Sequence, residues 1–462
     1  MPCFDPVELA RWCGGKWTPR APADVTAVVH DTRSVTAGSL FVALRGTRVD
    51  GHDFIAQAAG QGAVGALVSA ARVRGGLSVD VPLLVVDEPA LALRALATGY
   101  RRRLNPAIVG VTGSVGKTTV KELIAAFLET TLPTARTRGN WNNEIGLPLS
   151  LLAMADDTRA GVLELGISHP GEMDPLCRIA QPDRGVITNV GPVHLEHFES
   201  VEAIAREKGR LFTHLPADGV AVVSLDEAYA DLLKGMAGCP VVTTSLRAEA
   251  DYRLVRSDEG RAGWAVRERA SGDVFAFRTP LAGEHNLHNL LLAIAVARGF
   301  GVSWPAIGQA LGRFALPAMR WERREIHEVT VINDAYNANP VSMRAAIRTF
   351  AELALTGRKW LVLGDMLELG QTGIAEHIEL GRLVGGQSWA GLVTVGMLGG
   401  HIAEGALAGG MPDGQVQQCQ TADEAADWLR ERVRPGDGIL VKASRGRRLE
   451  EVVARLEKGW GG

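Results

Sequence analysis

Short runs of Val, Ile, Leu and Ala recur along this chain and alternate with longer stretches whose apolar positions fall at helical spacing. The first kind reads as strands buried on both faces, the second as amphipathic helices. In residues 1–104 the pattern predicts strands at 25–30, 39–44, 66–69 and 83–86, with helices at 54–60 and 89–104. Asn105-Pro106 punctuates the end of that unit. Over 105–316 strands are expected at 107–111, 161–166, 184–190, 219–224 and 241–245. An antiparallel ribbon over 251–280 and a strongly apolar helix over 283–297 follow. Over 317–462 strands at 329–332, 360–363, 392–395 and 438–441 alternate with helices at 341–355, 373–385, 421–433 and 447–458. Strands that alternate with helices build parallel sheets. The expectation is an α/β chain of three domains, the first one small.

Length agrees: 462 residues make about three domains at ~150 residues each. With 46% hydrophobic and 22% charged residues the chain can bury ordinary globular cores. A net charge of −3 argues against nucleic acid as a partner. No apolar run approaches the ~18 residues of a membrane span. Met1-Pro2-Cys3-Phe4-Asp5 lacks the basic-then-apolar layout of a signal peptide, so a cytoplasmic protein is expected. The five cysteines have no metal-ligand spacing and are read as free thiols.

Candidate chemistry concentrates at Val109-Gly110-Val111-Thr112-Gly113-Ser114-Val115-Gly116-Lys117-Thr118-Thr119. This reads as a buried strand, a glycine turn and the start of a helix. Gly113 and Gly116 let the backbone through Ser114 and Val115 curl, so that N–H groups point into one cavity. The helix adds its positive end. Such a nest suits nucleotide phosphates, with Lys117 on the β/γ-phosphates and the Thr118 hydroxyl on Mg²⁺. The usual phosphate-loop pattern places Gly six residues before the Lys, where this chain has Val111. The alternative is a plain strand–helix turn. Glu164 and His194 also fall at strand ends, where parallel sheets bind ligands, and with Thr118 would complete a Mg²⁺-nucleotide site. His285, Asn286 and Asn289 open the apolar helix, as caps or as cavity-facing groups. The third unit carries polar clusters at 333–340, 364–366 and 442–445, each just after a strand.

Across its whole length the chain resembles the Mur ligases of bacterial cell-wall synthesis. The resemblance rests on Thr112 to Thr119, on Asn140-Trp141-Asn142-Asn143-Glu144-Ile145-Gly146, on Glu164-Leu165-Gly166 and on His194-Leu195-Glu196. It rests most on Asn333-Asp334-Ala335-Tyr336-Asn337-Ala338-Asn339-Pro340 and Gly364-Asp365-Met366-Leu367-Glu368-Leu369-Gly370. The Mur form of the phosphate loop also lacks the early Gly. The last two motifs are similar to those of the branch that adds D-alanyl-D-alanine to UDP-N-acetylmuramoyl-tripeptide. Val341 stands where diamino-acid-adding members have the Arg of Asp-Asn-Pro-Arg. In Pro317-Ala318-Met319-Arg320, Met319 stands where many members have Gly.

The resemblance implies a UDP-substrate domain over 1–104, a phosphate-loop ATPase over 105–316 and a Rossmann-like ligase domain over 317–462. It implies ATP-dependent amide formation through an acyl phosphate, with Lys117, Lys208 and His194 catalytic. Residues 113–119, Asn286, Asn289, Arg320 and Asp334 would bind ATP. Asn286 and Asn289 would hold the adenine edge, Arg320 phosphate and Asp334 the ribose. Thr118, Glu164, His194 and Lys208 would bind Mg²⁺. Thr32, Arg33, His52, Asp53, Asn140 and Asn143 would line the UDP-substrate, and Asp365 the dipeptide. Read by composition, Lys208 is a surface lysine. By resemblance it carries a carbamate formed with CO₂. A monomer is expected. The alternatives are a diamino-acid-adding Mur ligase, a folylpolyglutamate synthase-like ligase, or a phosphate-loop switch that makes no bond.

Overall fold

The computed structural model describes residues 2–256 and 263–459; the tip of the expected ribbon, 257–262, lies outside the described residues. The first sheet runs in the order Lys16–Thr18, Leu83–Val86, Ala63–Ser69, Ser39–Val42, Ala27–Val29. Its first pair is antiparallel and the rest parallel. The pattern missed Lys16–Thr18 and the helix Pro6–Cys13. Both are too short for a period to show, and the helix is set by its caps: the Asp5 carboxylate accepts from Val7 N–H, and Gly14 closes it with φ 67°. The helix Pro89–Leu104 has the expected bounds. It joins the first sheet to the second: the Tyr100 hydroxyl donates to Met154 O (2.7 Å) and Arg101 to Ala180 O (3.1 Å) and Gln181 O (3.0 Å).

The central sheet has nine strands. Its key strand, Ala107–Thr112, lies between Ala160–Glu164 and Arg184–Ile187, parallel to both. Val220–Ser224 and Val241–Ser245 extend it, and Thr134–Arg136, unforeseen, forms its other edge. Tyr252–Arg256, Trp264–Glu268 and Val274–Phe277 form the expected ribbon. The three neighbouring strands all point their carboxyl ends to one edge, so the loops after Thr112, Glu164 and Ile187 meet there. The helix Lys117–Leu128 is clamped by Glu284–Gly299, whose side chains from Asn286 to Ala297 are all buried. That explains an apolar run with no polar face.

The third sheet runs Glu322–Ile326, Val329–Asn333, Gly438–Lys442, Lys359–Gly364, Gly391–Val395, Val416–Cys419. Its first pair is a hairpin turned by His327 and Glu328, both left-handed (φ 48° and 59°). Glu-Arg-Arg-Glu in that edge strand hid it from the apolar pattern. Val416–Cys419, with Gln417 and Gln418, and the Gly-rich helix Gly399–Ala408 were missed for similar reasons. The five cysteines are free, and no helix among the described residues is long and apolar enough to cross a membrane.

Asp437 locks this sheet. Its carboxylate accepts from Arg358 N–H (2.7 Å), the Trp360 indole (2.9 Å) and Arg434 N–H (3.1 Å). Burial pushes its pKa up, but the Trp360, Arg358 and Arg434 bonds outweigh that and hold it below the ordinary 3.8. Its contribution is therefore full above that value and lost as pH falls through the lower folded one. Asp437→Ala is expected to lower unfolding free energy by about 3 kcal/mol at neutral pH, read by urea denaturation. The difference from the parent should shrink in acid.

Candidate active site

Gly113 has φ 151° and Gly116 φ 82°. A Cβ on Gly113 would lie 1.9 Å from Thr188 Oγ1, and one on Gly116 2.5 Å from Asn289 Oδ1. Only glycine fits either place. Ser114 N–H donates to Asn189 O (3.0 Å) and Val115 N–H to Asn189 Oδ1 (2.9 Å). The sequence expectation that Ser114 and Val115 present phosphate-binding amides is corrected: those groups shape the loop. The amides of Lys117, Thr118 and Thr119 precede the first internal helix bond, from Val120 N–H to Gly116 O (2.9 Å), and point out of the helix end.

Two lysines converge on one carbonyl. Lys117 Nζ donates to Gly113 O (2.8 Å) and Ser114 O (3.2 Å), and Lys208 Nζ donates to the same Gly113 O (3.1 Å). Lys208, on helix Val201–Thr213, is 2% exposed, so it is not a surface lysine. Burial and then Lys117 drive its pKa well below the ordinary range, against the pull of Glu207. Burial also lowers Lys117; Glu164 opposes the shift and Arg320 adds to it. Burial, then Lys208, Lys117 and His197, bring His194 down to about 4, so its imidazole is neutral at physiological pH.

Glu164 is 3% exposed. Its Oε2 accepts from the Thr118 hydroxyl (2.8 Å) and its Oε1 from Asn142 Nδ2 (2.9 Å). Behind it, Glu164 N–H donates to Thr137 Oγ1 (3.0 Å), and the buried Lys121 ammonium donates to Thr137 O (2.7 Å). Asn142 is a site residue that residue-by-residue reading missed, although the motif containing it was visible. Asn143 instead caps helix Gly146–Leu152, its Oδ1 accepting from Gly146 N–H (2.9 Å), and Asn140 lies exposed on the same loop.

Other expectations shift as well. Asn286 and Asn289 are each 4% exposed. Asn286 donates to Ala282 O (2.8 Å) and Asn289 to Asn286 Oδ1 (3.2 Å), and Asn289 Oδ1 packs against Gly116. Their neighbours His285 and His288 line a cleft of about 440 Å³ with Asn189, Glu227 and Arg348. Asp334 accepts from Trp321 N–H (3.0 Å) and from Lys442 Nζ (2.7 Å); burial lowers the pKa of nearby His285, and Asp334 opposes that shift. Arg320 stacks on Tyr336, 4.1 Å from the ring centre. Met319, with φ 60°, holds a left-handed turn there. Glycine adopts such a turn at no steric cost, which a Met does not.

Asp365 is fully buried; it accepts from Gly399 N–H (2.7 Å) and pairs with Arg447 (2.5 Å). Its partner Arg447 is 39% exposed. In the first domain His52 is also committed. Its Nδ1 faces Asp50 (2.6 Å) and its Nε2 accepts from Ser69 N–H (3.0 Å), leaving no ring nitrogen for substrate. Asp53 pairs with Arg72 (2.5 Å). Thr32 and Arg33 sit on the turn Thr32–Ser34, with Arg33 extended into solvent from Asp31. That turn adjoins the central domain: the His30 ring lies edge-on to Trp141 at 6.3 Å.

The third domain reaches the same edge. Glu368 meets His194 Nδ1 at 3.3 Å, and a Cβ on Gly370 would lie 2.9 Å from Glu196. Both His194 and Glu368 are left-handed (φ 54° and 64°), an arrangement that clusters at working sites. Among the described residues no three His, Cys, Asp or Glu groups gather closely enough to hold a metal alone. Glu164 with the Thr118 hydroxyl nevertheless fits Mg²⁺, which takes one or two carboxylates and completes its shell with phosphate and water.

Such positive charge beside one carboxylate, with a further domain resting on it, defines a multidomain phosphate-loop enzyme that uses a nucleoside triphosphate. Three family models match in chain order: Mur ligase family, catalytic domain over 24–101; Mur ligase middle domain over 111–297; and Mur ligase, glutamate ligase domain over 319–445. The UDP-N-acetylmuramoyl-tripeptide–D-alanyl-D-alanine ligase of Bacillus subtilis (strain 168) is 38% identical over 438 residues, 94% of this chain and 93% of its own. The crystal structure of MurF from Acinetobacter baumannii matches with a TM-score of 0.87 at 29% identity over 99% of each chain. MurF ligase from Thermotoga maritima, solved in complex with ADP, gives 0.79 at 28% over 95% of this chain and 98% of its own. The chain belongs to the Mur ligase family, and its three-domain α/β fold is that of these structures.

One measurement checks the electrostatics. In the free protein the His194 imidazole should titrate near about 4 by NMR. In CO₂-free buffer, where Lys208 carries no carbamate, Lys208→Met removes its positive charge and should move that titration upward. An unmoved titration would mean that Lys208 is not beside it.

Proposed function

We propose that this chain is an ATP-dependent ligase that joins D-alanyl-D-alanine to UDP-N-acetylmuramoyl-tripeptide, a step of peptidoglycan precursor synthesis, acting as a cytoplasmic monomer. The observation that carries the reading is the paired approach of Lys117 and Lys208 to Gly113 O, beside Glu164 and under the Glu368 loop. The names of the full-length relatives supply the substrates.

In this reading residues 1–104 hold the UDP end, 105–316 hold ATP and 317–462 bring the dipeptide. The tripeptide carboxylate attacks the γ-phosphorus, ADP leaves, and an acyl phosphate forms. The dipeptide amine then adds to the acyl carbon, and phosphate departs. Lys117 and the amides of Lys117 to Thr119 steady the charge passing through the transferring phosphoryl group. Glu164 and Thr118 would hold Mg²⁺, with neutral His194 as a further ligand. The metal, when bound, screens the repulsion between carboxylate and triphosphate. Arg320 would face the phosphates from the interdomain segment and Asp334 the ribose. Arg447, held by Asp365, is placed for the dipeptide's carboxylate. The third domain excludes water, to which an acyl phosphate is vulnerable.

Lys208 takes a carbamate in this proposal. Its lowered pKa supports it, because only a neutral amine adds CO₂. The carbamate would turn a repelled cation into an anionic oxygen donor beside the metal.

The deciding experiment follows ADP release by the purified chain. With UDP-N-acetylmuramoyl-tripeptide present, release should depend on D-alanyl-D-alanine and not on a diamino acid. Hydrolysis with ATP alone would point to a switch, and dependence on a diamino acid to another family branch.

Two variants test the lysines. Lys117→Ala should lose about 1000-fold in turnover while keeping its fold. Lys208→Ala should be nearly as inactive, but short carboxylic acids should partly restore it and should not restore Lys117→Ala. An active Lys208→Ala would remove the carbamate from the reading.

A further inference from the structure

Amide formation needs a base as well as cations. The dipeptide amine arrives as an ammonium and must shed two protons before it is an amide nitrogen. None of the groups assigned above is free for that. Lys117 and Lys208 point at Gly113 O, Glu164 holds Thr118 and Asn142, and His194 faces Glu368.

A second imidazole group stands next to them, on the loop that follows the Glu164 strand. The carboxylate of Glu172 is fixed by two backbone donors, Ser168 N–H (2.6 Å) and His169 N–H (3.1 Å), both on Oε2. Its other oxygen, Oε1, faces His169 Nδ1 at 3.3 Å. The His169 ring stacks on His197 at 3.9 Å and 28°. His197 in turn ties to the metal-side loop, its N–H donating to His194 O (2.9 Å), while its Nε2 faces Glu196 (3.2 Å). So His169 lies one ring away from the loop that carries His194, on a side chain 55% exposed and open to an incoming amine.

We propose that His169, oriented by Glu172, is the general base that accepts a proton from the attacking dipeptide amine; this rests on the ligase reading above. The Glu172 carboxylate takes the Nδ1–H, which leaves the Nε2 lone pair facing outward. His169 Nε2 takes one proton from the ammonium and frees the nitrogen lone pair. The N–C bond forms as the carbonyl π pair moves to oxygen. The pair returns, the C–O bond to phosphate breaks, and phosphate leaves with those electrons and the second amine proton. Hydrogen phosphate, amide and protonated His169 balance the step. The stack on His197 fixes the ring plane and uses no proton of its own.

Hydroxylamine, which is largely unprotonated at neutral pH, separates this role from a structural one. With ATP and the UDP-linked tripeptide, the parent enzyme should form a hydroxamate from hydroxylamine and an amide from D-alanyl-D-alanine. His169→Gln should lose about 100-fold in amide formation, the usual weight of a general base, with hydroxamate formation unchanged. Glu172→Gln should show the same split with a smaller loss. Equal loss on both nucleophiles, or no loss on either, overturns the assignment. A parent enzyme that makes hydroxamate and no dipeptide amide overturns the choice of dipeptide instead, and the assignment with it.

Discussion

One carbonyl oxygen, that of Gly113, holds two ammonium groups. Were both charged, they would repel by roughly 3 kcal/mol even at an effective dielectric near 20. Glu164 and Glu207 relieve part of this, and burial shifts both lysines toward neutrality. The remaining demand is for negative charge, which a triphosphate meets on Lys117 and a carbamate meets on Lys208. Burial first, and then the nearby lysines, lower the pKa of His194 against the pull of Glu172.

That crowding persists because the surroundings are rigid. Thr188 and Asn289 leave no room for a side chain at Gly113 or Gly116. Asn189 uses the first loop amides, so the loop keeps its curl without a ligand. Thr137 and the buried Lys121 brace the strand end that carries Glu164. Each support is a buried polar group with a partner, and each fixes a neighbour that would otherwise swing.

The third domain meets this frame through short contacts and a tight hinge. Met319 and Trp321 are both left-handed (φ 60° and 51°), and Arg320 between them stacks on Tyr336. Arg320 is also near enough to Lys117 to add to the lowering that burial causes there. Glu368 then joins the far side of the third domain to His194, so both edges of the cleft depend on how that domain sits.

Sequence alone determined the buried strands, the long helices and the glycine loop, because each has a local signature: apolar runs, helical spacing, or a backbone only glycine adopts. It also located Lys117, Thr118, Glu164 and His194 at strand ends. It could not see edge strands such as Glu322–Ile326, whose charges face water. Tertiary structure decided how some polar groups pair. His52 and Asp365 look like ligand contacts in one dimension, yet Ser69, Gly399 and Arg447, distant in the chain, use their hydrogen bonds, whereas Asn143, Asn286 and Asn289 bond within three or four residues. It equally decided that Lys208 is inside and that Asn142 reaches Glu164. Local pattern specifies backbone, whereas the pairing of side chains depends on strand order, which brings residues 113, 164 and 208 to one edge only after the sheet has formed.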